Sequence, residues 1–167
     1  IKGGELNLFR VFSNEYAFRI PGYQRPYAWT LDQAGELFDD LSAASPDTAA
    51  QITDATPYFL GSIVLIKGDG PNADVVDGQQ RLTTLTILLA ALRATFEDPA
   101  HREELTSHLY VRGRPLAGIE TRYRVQLRER DDAFFRQYVQ DEGGLELLEA
   151  LDLAGLPDAQ RRIAENA

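Results

Sequence analysis

The chain holds 167 residues, the length of one ordinary domain, with 17 basic against 26 acidic side chains and a formal net charge of −9. That balance excludes binding of nucleic acid across the whole surface, because affinity for phosphate backbones comes from Lys and Arg. The absence of cysteine excludes a disulfide framework, thiolate metal sites and a cysteine nucleophile.

In chain order, the first periodic segment is Glu15 to Ile20, where Tyr16, Phe18 and Ile20 alternate with Ala17 and Arg19 as in a strand. Pro21-Gly22 breaks it, and the polar-aromatic loop Tyr23-Gln24-Arg25-Pro26-Tyr27-Ala28-Trp29 follows. Thr30 and Gln33 have capping-box spacing, and Trp29 sits at the staple position, which assigns it to packing. The helix they start places Leu31, Ala34, Leu37, Phe38 and Leu41 on one face. Ser45 to Pro57 reads as a loop. Tyr58 to Lys67 is nearly continuously apolar and predicts a strand covered on both faces.

A turn at Lys67–Asn72 leads to a short strand, Asp74-Val75-Val76. A helix begins near Leu82, with Leu82, Leu85, Leu88, Leu89, Leu92 and Phe96 at helical spacing. Asp98 and Pro99 end it and open another. Thr121 to Leu127 alternates again, and helices are predicted near Asp131–Gln140, Leu145–Leu153 and Pro157–Asn166. The fold class is mixed α/β of the α+β kind. Residues 1–98 are expected to form a core domain and 99–167 a helical extension with a short β-hairpin. With no methionine and Ile1 at its start, the chain reads as a truncated piece of a longer protein. No apolar run approaches ~18 residues and no basic segment precedes an apolar one, so the expectation is a soluble, cytoplasmic domain with no membrane partner.

Chemistry concentrates at Asp77-Gly78-Gln79-Gln80-Arg81, between the short strand and the helix. A helix N-terminus carries unpaired N–H groups and roughly half a positive charge, which attracts anions and phosphates above all. Gly78 permits a close ligand approach, Gln79 and Gln80 donate without adding charge, and Arg81 offers a planar fork for phosphate oxygens. Thr83 and Thr84 add hydroxyl donors, and Asp77 is placed to hold a hydrated Mg²⁺ or orient a water. The plainer alternative is an ordinary strand-to-helix turn, with Asp77 as cap, Gly78 as corner and Arg81 in a surface ion pair. Two adjacent glutamines are a poor way to build a mere cap, which favours a ligand.

Tyr23, Gln24 and Arg25 form a second candidate site, since aromatic faces stack on nucleobases and the guanidinium grips phosphate. Between Arg112 and Arg130, six arginines face only Glu120 and Glu129, giving either a basic strip or a solvated hairpin face. His101 and His108 lack an acid at ligand spacing and read as structural or solvent-exposed.

IPGYQRPYAW near the N-terminus, YFLGSIVL, and then VVDGQQRLTTLTILLAALR, in that order, resemble the N-terminal domain of GmrSD-type modification-dependent restriction endonucleases. That family is marked by DGQQR and has a ParB/sulfiredoxin-like fold. The resemblance is clear over residues 15 to 96 and looser from Tyr123 to Tyr138. It implies a domain that binds and hydrolyses a nucleoside triphosphate with Mg²⁺ (GTP, CTP or UTP rather than ATP) and gates DNA cleavage in a phage-defence system. Its implied partners are DNA, a C-terminal or separate nuclease domain and a second copy of the chain. Carried over, Asp77, Gly78, Gln79, Gln80 and Arg81 are the phosphate and catalytic motif, with Asp77, Gln80 and Arg81 as catalytic residues. Tyr23, Gln24 and Arg25 are the nucleotide- or DNA-contacting motif. The alternative function is a reader of DNA modification that engages DNA through Tyr23-Gln24-Arg25 and the Arg112–Arg130 strip without nucleotide turnover. A third is a structural module that docks a nuclease.

Overall fold

A computed structural model describes residues 3–47 and 56–167. A short helix, α1 (Leu8–Val11), which no periodicity announced, precedes the first strand, β1 (Ala17–Arg19). The helix predicted after Thr30 is α2 (Leu31–Ala44), and the Gln33 side-chain oxygen accepts the Thr30 N–H at 3.0 Å in the expected capping box. Only Leu37 of its apolar face is buried, while Leu31 and Phe38 are exposed. Most of the loop expected at Ser45–Pro57 lies outside the described residues.

The apolar run Tyr58–Lys67 departs from expectation. Only β2 (Val64–Lys67) is a strand, and it is the edge of its sheet. Val64 is 48% and Ile66 65% exposed, so the strand is not covered on both faces. The reason is positional: an edge strand has one neighbour, and here only Leu65 is turned toward the core cluster. Its partner β3 (Asn72–Asp77) runs antiparallel to it, and β3 leads directly into α3 (Gln79–Thr95).

After α4 (Pro99–Leu109), capped by Asp98 as expected, come β4 (Tyr110–Val111), β5 (Arg122–Tyr123) and β6 (Val125–Gln126). The alternation at 121–127 is therefore split between two sheets. β5 pairs antiparallel with β4 in the expected hairpin, whereas β6 pairs parallel with β1. The mixed four-stranded sheet has the order β2-β3-β1-β6. Its fourth strand comes from beyond residue 98, so both halves of the chain build one sheet. The remainder is α5 (Glu129–Phe135), a π-helical turn Arg136–Gln140, α6 (Gly144–Glu149) and α7 (Asp158–Asn166).

Register places Phe18 between Ala73 and Val125, and all three are buried with Val75, Leu82, Leu85, Phe135 and Ile163 in one core. Burying each large side chain contributes roughly 1.5–3 kcal/mol relative to exposure. α3 is buried nearly all round, including at polar positions. Its hydroxyls of Thr83, Thr84 and Thr86 donate to the carbonyls of Gln79, Gln80 and Leu82 at 2.9, 2.9 and 2.8 Å, which satisfies their protons inside the core. No helix among the described residues is long and apolar enough to cross a membrane.

Candidate functional site

The junction between β3 and α3 is built around Gly78, whose φ of 91° is left-handed. A Cβ there would lie 3.1 Å from the Ser62 carbonyl oxygen and 3.2 Å from the Ile63 Cα, so both conformation and space demand glycine. α3 consequently begins at Gln79, earlier than hydrophobic spacing indicates, and no side chain caps it. Asp77 turns back instead, its Oδ1 accepting the Gly78 N–H at 2.9 Å. The first-turn N–H groups of α3 are thus left for a ligand or for water.

Gln79, Gln80 and Arg81 line a cleft of about 460 Å³ together with Asp77, Gly78 and residues of the loop at 24–29. That volume lies within the usual range for small-molecule sites, about 300–1,000 Å³. Gln79 is only 8% exposed, and its Oε1 is buried with no hydrogen-bond partner. Arg81 lies across Gly61, where a Cβ would come within 2.5 Å of its Nη1 and 2.7 Å of its Cζ. Gly61 has a φ of 97°, so the preceding loop is shaped to make room for this guanidinium. Among the described residues neither Arg81 nor Arg25, which also lines the cleft, forms an ion pair. Two unneutralised cations beside an uncapped helix N-terminus make an anion-attracting corner.

The glutamines of the two motifs do something the sequence did not indicate. Gln80 Oε1 accepts the Ala28 N–H at 2.8 Å, and its Nε2 donates to the Pro26 carbonyl at 3.0 Å. Gln24 Nε2 donates to the carbonyls of Val76 at 3.0 Å and Val75 at 3.4 Å. Each motif grips the other's backbone, which is how the loop bearing Arg25 reaches Arg81. Gln80's amide is engaged at both ends, so it is not free to position a water while the loop is held. Thr83 and Thr84 are likewise corrected as ligand donors: both are buried and give their protons to helix carbonyls. Tyr23 points away, 76% exposed and outside the cleft lining. Trp29, expected to pack, is half-buried against the core and also lines the cleft.

Four of the six arginines in the Arg112–Arg130 strip are engaged within the fold, and only Arg114 and Arg130 are exposed without a side-chain partner among the described residues. Arg124 is 4% exposed and donates to the Ser107 and Ser13 carbonyls and to Asn14 Oδ1. Arg112 pairs with Glu103 at 2.9 Å and Glu142 at 3.3 Å, and Arg128 with Asp131 at 2.8 Å. Arg122 donates to Asn14 Oδ1 at 3.4 Å. These partners lie outside the segment, Asp131 directly after it, so counting charges within it could not find them. His108 Nδ1 meets the Phe12 carbonyl at 2.9 Å, and His101 is exposed. Among the described residues no group of three or more His, Asp or Glu is placed to hold a metal. Asp77 alone suits Mg²⁺ only with phosphate oxygens completing the shell, which is the ion's usual habit.

Residues 8–165 match the family model described as GmrSD restriction endonuclease, N-terminal domain. No curated protein matches the chain.

Proposed function

Because this chain belongs to the GmrSD restriction endonuclease N-terminal domain family, we propose that it is the nucleotide-binding, NTP-hydrolysing regulatory part of a restriction system acting on modified DNA. The observation that carries this is the cleft at the α3 N-terminus. Uncapped N–H groups and two arginines without carboxylate partners among the described residues converge there. Such a donor set is costly to bury or leave unmatched and suits an anion with several oxygens.

In this reading Arg81 and the first-turn N–H groups of α3 take the outer phosphate oxygens, and Arg25 closes over them from the loop. The Gln79 amide lines the floor. Asp77 would hold Mg²⁺ when the ion arrives with the nucleotide, its other oxygen orienting the attacking water. The metal would supply charge neutralisation at the phosphoryl group. Gln80 and Gln24 keep the loop in place, so catalysis is mainly positioning and fixed charge. Tyr23, projecting from the same loop, is left free to meet DNA, and this exposed ring is the observation that favours the reader alternative.

The test is calorimetric titration of GTP, CTP, UTP and ATP with Mg²⁺ into the protein and into Arg81→Ala, followed by phosphate-release assays on Asp77→Ala. Saturable binding lost with Arg81, and turnover reduced about 100-fold or more with Asp77 while binding persists, supports the proposal. Binding of modified DNA with a steep salt slope and indifference to every nucleotide would establish the reader instead.

A further inference from the structure

The loop that carries Arg25 is held from a third direction, by the far end of the chain. Asn166, on the last turn of α7, donates from Nδ2 to the Tyr27 hydroxyl and to the Trp29 carbonyl, both at 2.9 Å. A carbonyl only accepts, so the amide nitrogen must face it and the orientation of the Asn166 side chain is set. Tyr27, 5% exposed, contacts Thr84 Oγ1 at 2.8 Å. The single Thr84 proton is directed at the Gln80 carbonyl at 2.9 Å, so the phenol is the donor in the Tyr27–Thr84 pair. Burial pushes the Tyr27 phenol above its ordinary range, which keeps that proton in place. The donors therefore run in one direction, from Asn166 to Tyr27 to Thr84 to the backbone of Gln80. The side chain of Gln80 grips the same loop at Pro26 and Ala28. Asn166 itself lines no part of the cleft. Its Oδ1 is buried without a partner, so the two Nδ2 bonds are what the residue contributes.

We infer that Asn166 is a positioning residue for the anion cleft: through Tyr27 and Trp29 it sets where the loop presents Arg25, and it couples α7 to occupancy of the site. The coupling rests on the polyphosphate reading of the cleft given above. A ligand that draws Arg25 inward tightens the hold on α7, and releasing α7 weakens the ligand by the same factor. α7 packs on α2, α3 and α5, so this helix is where occupancy would be communicated to the rest of the molecule.

Trp29 is the only tryptophan, so its fluorescence reports on the loop directly. The experiment compares the unmutated protein with Asn166→Ala and with Tyr27→Phe, which keeps the ring and removes only the hydroxyl. Acrylamide quenching of Trp29, amide exchange over residues 158–166 and calorimetric binding of inorganic tripolyphosphate with Mg²⁺ are measured on each. Circular dichroism checks the fold, and Tyr27→Phe carries the test if Asn166→Ala does not fold.

The expected result is quenching raised about twofold in both variants, tripolyphosphate affinity lowered about fivefold to tenfold, and exchange in α7 slowed by ligand only in the unmutated protein. The double variant is expected to be no worse than the weaker single one, since both cut the same chain of donors. Equal tripolyphosphate affinity in all three proteins overturns the inference alone. If the unmutated protein does not bind tripolyphosphate, the polyphosphate reading and the coupling fall together. Trp29 quenching then still decides the tether: raised in both variants it supports Asn166 as the loop's anchor, and unchanged it overturns that as well.

Discussion

Two arginine-bearing regions of this molecule meet opposite ends. At the α3 N-terminus, Arg81 and Arg25 border an open cleft without a carboxylate partner among the described residues. In the segment from Arg112 to Arg130 the arginine density is far higher, yet Arg124 is buried among carbonyls and Arg112 and Arg128 are neutralised by acids. An arginine is available to an anion only where the fold withholds a partner. Local abundance says little about that, because the partners Ser13, Glu103, Ser107, Asp131 and Glu142 all lie outside the segment.

The contrast breaks most visibly if the buried member of the second region proves dispensable. Arg124→Ala strands the carbonyls of Ser107 and Ser13 and should cost about 3 kcal/mol of stability, measured by urea unfolding. A loss below about 0.5 kcal/mol would mean that the guanidinium is not the node its four hydrogen bonds suggest. Next in size, Gln80→Ala removes both bonds to the loop and should lower stability by about 2 kcal/mol, with Trp29 becoming more accessible to quencher.

The first region is sharpened by Arg81→Ala. It should leave stability within about 0.5 kcal/mol while weakening nucleotide affinity at least about tenfold, roughly 1.4 kcal/mol. A protein equally tolerant in both measurements would remove the distinction between the regions. The smallest effect is expected at Arg112, whose side chain is half exposed between two acids. Arg112→Ala should change stability by about 0.5 kcal/mol, less at high salt, and leave nucleotide binding unaltered.

How far the sequence led differs by element. β1, α2, the start of α4 and the three C-terminal helices follow from period, caps and prolines acting over a few residues. The edge position of β2 and the splitting of residues 121–127 between two sheets did not follow, since pairing partners are chosen across the whole chain. At the site, Asp77, Gly78 and Arg81 were legible because a glycine corner before a helix has a local physical signature. Gln80 and Gln24 were legible as important, yet their task as reciprocal straps was not. Hydrogen bonds to Ala28 and Val76 depend on how the loop packs against the β3–α3 junction. Asn166 carried no signal at all, lying 139 positions from Tyr27.

The sequence by itself determined an α+β chain, the place of the glycine turn before α3 and the family motifs that bracket it. These are short-range properties: hydrophobic period, turn residues and a glycine corner ahead of a helix. Only the tertiary structure decided which arginines stay open, which glutamines hold the loop, and that α7 meets the loop at residues 27–29. Those outcomes turn on burial and on partners brought together from distant positions, and a linear reading has no access to either.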